Sequence, residues 1–122
     1  MDIIHEKTKT VVAKNVRLLQ KTGEISRGLM FTRRKQDFCL YFQFEKPVRY
    51  DLHMWFVFYP IDVVILDKQG TIIEIIEHFK PFAIHFPKQD YSAFAELPAG
   101  SIKRYDLHIG KMLKLASISE CD

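Results

Sequence analysis

Asp62 is the residue whose position most needs a chemical explanation. It follows the apolar and aromatic run Met54–Tyr59 and then Pro60-Ile61, and it precedes Val63-Val64-Ile65-Leu66. An ionised carboxylate in such surroundings is costly unless it is hydrogen-bonded or paired, and otherwise its proton affinity rises. Two roles fit. Asp62 can lock the fold, by accepting backbone N–H groups or the guanidinium of Arg27, or it can be a general base or ligand contact in a cleft. Arg27 suits the lock because its planar fork engages a carboxylate bidentately and tolerates partial burial; the same fork would also take an anionic ligand. If strand parity holds through Pro60, Asp62 shares the apolar face of Phe56 and Phe58, whereas a bulge at Pro60 would turn it to solvent. The structural lock is the favoured expectation.

Other chemistries find less support. His5, His53, His78, His85 and His108 show no HxH, HExxH or His-x3-His spacing, so no metal site is expected. There is no GxSxG elbow, and Cys39 lies among aromatics in place of the electropositive setting that activates a thiol. The glycines are singletons at turns, which excludes a phosphate-cradling loop, and no cofactor is expected. The aromatic set Trp55, Tyr59 and Tyr41 is either a surface for stacking a ligand or the core of a second layer, with core favoured.

The elements that must position these groups read mostly with period two. Val11–Leu19 is a mixed opening strand, and Thr22 to Gly28 fits a short capped helical turn. In 38–45, Phe38, Leu40, Phe42 and Phe44 alternate with Cys39, Tyr41 and Gln43; in 52–59, Leu52, Met54, Phe56 and Phe58 alternate with His53, Trp55, Val57 and Tyr59. Residues 61–77 predict a hairpin turning at Asp67-Lys68-Gln69-Gly70. The stretch 79–90, interrupted by Pro81 and Pro87, predicts an edge strand; 94–100 a short strand and turn; Ser101–Tyr105 one helical turn capped by Ser101; Lys111–Ser117 a closing strand. The expected fold is all-β, a mostly antiparallel sandwich or partly open barrel of about seven strands with one or two short helical turns.

Length and composition agree. The chain of 122 residues is most simply one domain over 1–122, and its apolar fraction of 48% supports a packed core. The longest apolar stretch, Met54–Leu66, is interrupted by Pro60 and Asp62 and falls short of the roughly 20 residues of a membrane span. With no uninterrupted apolar leader and only two distant cysteines, Cys39 and Cys121, a cytoplasmic setting is expected. Residues 1–35 carry a net charge of +6 and the remainder −3, yet apart from Arg33-Arg34-Lys35 the basic residues are dispersed, so nucleic acid is not the expected partner.

Three stretches then converge on a family. "ISRGLMF" (25–31), "HMWFVFYPIDVVILDKQGTIIEI" (53–75) and "AELPAG" (95–100) occur in an order and spacing that resemble domain of unknown function 192, also called uncharacterised protein family 0127, over residues 11–115. The resemblance implies a compact, mostly antiparallel β fold and no settled activity. Two departures stand out: many relatives read Trp-Met-Lys-Asn-Thr where this chain has His53-Met54-Trp55-Phe56-Val57, and often Gly-Asp where it has Gly110-Lys111. Any site that those polar groups serve in relatives is altered here.

The expected function is a binding or interaction module for a small polar ligand or a protein partner, with a candidate cleft formed by Arg27, His53, Trp55, Tyr59, Asp62 and Glu96. The alternatives are a small hydrolase or lyase with Asp62 or Glu96 as general base, and a homodimeric interaction subunit.

Overall fold

The computed structural model describes residues 2–5, 11–13, 16–19, 39–54 and 57–116. These residues form ten strands and one helical turn: β1 (Asp2–His5), β2 (Val11–Ala13), β3 (Arg17–Leu19), β4 (Leu40–Val48), β5 (Leu52–His53), β6 (Ile61–Leu66), β7 (Ile72–Phe79), β8 (Ile84–His85), β9 (Tyr91–Pro98), α1 (Ser101–Arg104) and β10 (Leu113–Ala116). They form a five-stranded sheet in the order β3-β4-β9-β6-β7, a three-stranded sheet β10-β1-β2 and a two-stranded ribbon β5-β8. All pairings are antiparallel except β3 with β4. The architecture is the expected all-β one, with four longer strands, β4, β6, β7 and β9, and six short ones of two to four residues.

The five-stranded sheet is covered on both faces, which explains why its inner strands are apolar on both sides. All six residues of β6 are buried. One face gathers Tyr41, Val64, Leu66, Ala93, Ala95 and Leu97 with Ile3, Ile102, Leu107 and Leu113 from the three-stranded sheet and the chain around α1. The other gathers Leu40, Phe42, Ile61, Val63, Ile65 and Phe94 with Leu52, Met54, Val57, Tyr59 and Phe79. Each fully buried side chain of this size contributes about 1.5–3 kcal/mol relative to exposure. Cys39 belongs to the first core as a free thiol, and burial pushes its proton affinity up.

The structure departs from the alternation expected for 52–59. Met54 N–H still bonds Ala83 O at 2.8 Å in the β5–β8 register, and the chain then turns, with Val57 N–H bonding Met54 O at 3.2 Å and Phe82 N–H bonding the same oxygen at 2.8 Å. Val57 and Tyr59 consequently join Leu52 and Met54 in one core, while Phe58 stands 61% exposed. A second departure concerns α1: its N-cap residue is Gly100, and the Ser101 hydroxyl donates to Pro98 O at 2.6 Å without capping the turn. The expected turn at Thr22–Gly28 and most of the basic residues of 1–35 lie outside the described residues.

The β6–β7 hairpin matches its turn chemistry. Asp67 Oδ1 accepts from the N–H groups of Gln69 and Thr71, each at 2.9 Å, and Gly70 adopts φ +88°. A Cβ on Gly70 would lie 2.5 Å from Leu113 O, whose own residue donates its N–H to Gly70 O at 2.9 Å. Both constraints demand glycine. Gly70→Ala is therefore expected to cost about 1–3 kcal/mol in urea unfolding, and a loss below a few tenths would contradict this account.

Candidate functional site

Asp62 lies on β6 with no exposed surface, and both of its oxygens are occupied by backbone donors. Oδ1 accepts from His78 N–H at 2.9 Å; Oδ2 accepts from Gly100 N–H at 3.1 Å and Ile102 N–H at 2.9 Å. Each donor needs such a partner for a reason written in the fold. Between Ile61↔Phe79 and Val63↔Ile76, β7 carries one more residue than β6, so the ladder bulges, and His78 adopts φ 56° there. Gly100 and Ile102 open α1, where the first amides have no intrahelical acceptor. One carboxylate thus satisfies a bulge on one neighbouring element and a helix start on another. No lone pair is directed at solvent, so Asp62 is badly placed to take a proton from a substrate.

Glu96 presents the opposite case. It sits on β9, the central strand of the five-stranded sheet, between Leu40 of β4 and Val63 of β6. Cross-strand partners share a face, so its side chain stands on the side of Leu40, Val63 and Phe94. The residue keeps partial exposure, but its Oε2 is sealed from water and has no hydrogen-bond partner. Burial pushes its pKa up to about 8. Such a carboxyl is held mostly protonated at neutral pH and is an orphan in hydrogen-bonding terms.

The sheet separates these two acids. Asp62 pairs with Leu97, a residue of the first core, whereas Glu96 pairs with Val63 of the second, so the carboxyl groups point to opposite faces. Tyr59 is buried on the side of Glu96, Tyr41 is buried on the other, and His53 is exposed on β5. Arg27 and Trp55 lie outside the described residues. Of the four cleft residues that are described, Tyr59 and Glu96 stand on the side of one core, Asp62 faces away from both, and His53 is exposed. Among the described residues, no group of three His, Cys, Asp or Glu side chains is gathered closely enough to hold a metal ion.

Two features went unread in the sequence. Phe58 and Phe82 meet edge to face at 5.6 Å while both remain exposed, and Ile84 and Phe86 are exposed nearby in sequence. The prolines at 81 and 87 signalled the irregular backbone but not which rings face water. Glu74, buried on β7, meets His85 Nε2 at 3.3 Å through Oε1 and accepts Lys88 N–H at 3.2 Å through Oε2, tying the chain around β8 to the main sheet. Partners so far apart in sequence leave no local signal.

Comparison with known proteins adds the family and the fold. The family model DUF192, described as an uncharacterised ACR, matches residues 3–115. A candidate transcription regulator from Sinorhizobium meliloti 1021 superposes with a TM-score of 0.79 at 24% identity, covering 93% of this chain and 89% of that one. A protein of unknown function from Novosphingobium aromaticivorans superposes with a TM-score of 0.74 at 18% identity, covering 82% and 74%. No curated protein matches the chain.

The two acids make contrasting predictions. Asp62→Asn turns an amide N–H toward amide donors and should cost about 3 kcal/mol in denaturant unfolding; a loss under ~1 kcal/mol would show that the three contacts are dispensable. For Glu96 the folded pKa, about 8, lies above the ordinary 4.5, so the folded state binds the proton more tightly. Its contribution is fully present below pH 4.5 and is lost as pH rises toward 8, with a slope of at most about 1.4 kcal/mol per pH unit. The stability difference between wild type and Glu96→Gln should therefore shift in favour of Gln across that window. A difference independent of pH would contradict the burial of this carboxyl.

Proposed function

The chain belongs to the DUF192 family of uncharacterised proteins, and from its own geometry we propose that it is a binding module for a small polar ligand that hydrogen-bonds to Glu96. The observation that carries this reading is the sealed, partnerless Oε2 on the central strand. A buried polar atom without a partner costs about 1–3 kcal/mol, and a ligand donor would recover that cost. Asp62 gives no comparable support, since backbone N–H groups engage both its oxygens. The reading includes a reducing, cytoplasmic setting, supported by the buried free thiol of Cys39. With the Sinorhizobium neighbour, at 24% identity, the chain shares the fold alone.

A second reading, a small hydrolase or lyase with Glu96 as general acid or base, is favoured by one observation: its pKa of about 8 is close to neutral pH, where proton transfer in both directions is efficient. The two readings differ in whether a bound compound is consumed.

Thermal shift with n-butylamine, n-butanol, N-methylacetamide and n-butyrate tests the module. At least one of these should raise the melting temperature of the wild type by mass action and leave Glu96→Leu unchanged. Equal shifts in both proteins, or none at millimolar concentration, would overturn the reading. Consumption of the bound compound in NMR spectra, lost in Glu96→Gln, would establish the enzyme instead.

A further inference from the structure

We propose that the group Glu96 takes is a primary alkylammonium, held by the carboxylate and by the aromatic stack beside it. This rests on the preceding reading that Glu96 is the binding site, and it names the ligand chemistry. The carboxyl lacks two things at once: a hydrogen-bond donor for Oε2 and, among the described residues, a basic side chain to balance its charge. An alcohol or amide supplies only the donor. A carboxylate ligand supplies neither. An ammonium supplies both in one group, and charge-assisted hydrogen bonds are roughly twice as strong as neutral ones.

The neighbouring side chains fit the same cation. Phe94 lies two residues before Glu96 on β9 and so shares its face, about 7 Å along the strand. Phe42 of β4 lies directly opposite Phe94, and their rings stack at 4.4 Å with an interplanar angle of 11°. Phe44 adds a third ring, 6.1 Å from Phe94. An ammonium reaching Oε2 approaches an aromatic wall whose π faces attract cations within about 6 Å. The aliphatic walls, Leu40 and Val63, suit the unbranched methylenes behind the charge.

The other ionisable groups leave this chemistry to Glu96. Cys39, just before β4, and Tyr41 on it belong to the opposite core, where burial and then the nearby Glu96 push the Cys39 thiol's proton affinity up; on β6 the face of Asp62 lies there too, and backbone donors already engage its carboxylate. On the same face, Tyr91 donates its hydroxyl to Tyr50 O at 2.8 Å, Tyr59 is buried, and Glu74 of β7, opposite Ile65, is engaged by His85 Nε2 and by Lys88 N–H. With the free carboxyl at about 8, roughly nine-tenths of the sites carry a proton at pH 7, and the arriving ammonium displaces it to solvent. Affinity for an alkylammonium should therefore rise about tenfold per pH unit from pH 6 toward 8 and then level off.

Titration calorimetry of the full chain at pH 7 with n-butylammonium, repeated in phosphate and Tris to count protons, tests this. The expected result is saturable binding with about 0.9 proton released, at least tenfold weaker binding of n-butanol, and at least tenfold loss in Glu96→Gln. Phe94→Leu should weaken n-butylammonium several-fold and leave n-butanol unchanged. Nα-acetyl-lysine methylamide, run alongside, separates a lysyl side chain from a free amine as the source of the group. Comparable binding of n-butanol that still requires Glu96 would overturn the ammonium assignment and leave the site standing. Binding of n-butylammonium undiminished in both Glu96→Gln and Glu96→Leu, each checked for a cooperative melt, would overturn the site as well.

Discussion

The carboxylate of Asp62 holds together the parts of this fold that regular hydrogen bonding cannot. Ladder bonds account for the strands, but the bulge at His78 and the start of α1 leave amides that no ladder or helix can serve. A buried amide without an acceptor costs about as much as a lost hydrogen bond, and three would consume much of a domain's net stability. By accepting all three, Asp62 fixes the end of β7 relative to the turn after β9. The polar residue in the most apolar stretch is thus what allows the surrounding apolar strands to be irregular where they must be.

Glu96 shows that two acids in similar strands can have opposite fates. Asp62 has its oxygens within reach of a bulge and a helix start, where unpaired N–H groups occur. Glu96 stands mid-strand, where the neighbouring amides are already used by the ladder, so its carboxyl finds no backbone partner. Position along the strand, more than hydrophobicity, decides which carboxyl is satisfied and which keeps an oxygen without a partner.

Much of the fold is legible in the sequence because local rules suffice for it. The Asp67–Gly70 turn follows from a side chain that bonds its own downstream amides and a glycine at positive φ. The alternation over 39–42 divides Leu40 and Phe42 from Cys39 and Tyr41 between the two cores. The reading fails at 54–60 because period two presumes pairing, and here the chain turns after Met54, whose carbonyl accepts the N–H groups of Val57 and Phe82. Once the ladder ends, parity no longer says which side chain is inside, so Phe58 is exposed where the pattern had it buried. The separation of Asp62 from Glu96 was hidden for a different reason: it depends on the β6–β9 register, which only the assembled sheet defines.

The parallel pairing of β3 with β4 has a consequence for how the protein keeps to itself. Arg17, Leu18 and Leu19 lie against Leu40, Tyr41 and Phe42, at the margin of the five-stranded sheet. Parallel neighbours cannot be joined by a tight turn, and the chain runs from residue 19 to residue 40 before the two meet. β3 therefore acts as a shield closed from a distance. It occupies backbone groups of β4 that would otherwise template the strand of another molecule, so three residues joined from a distance protect the aromatic inner strands where they pair.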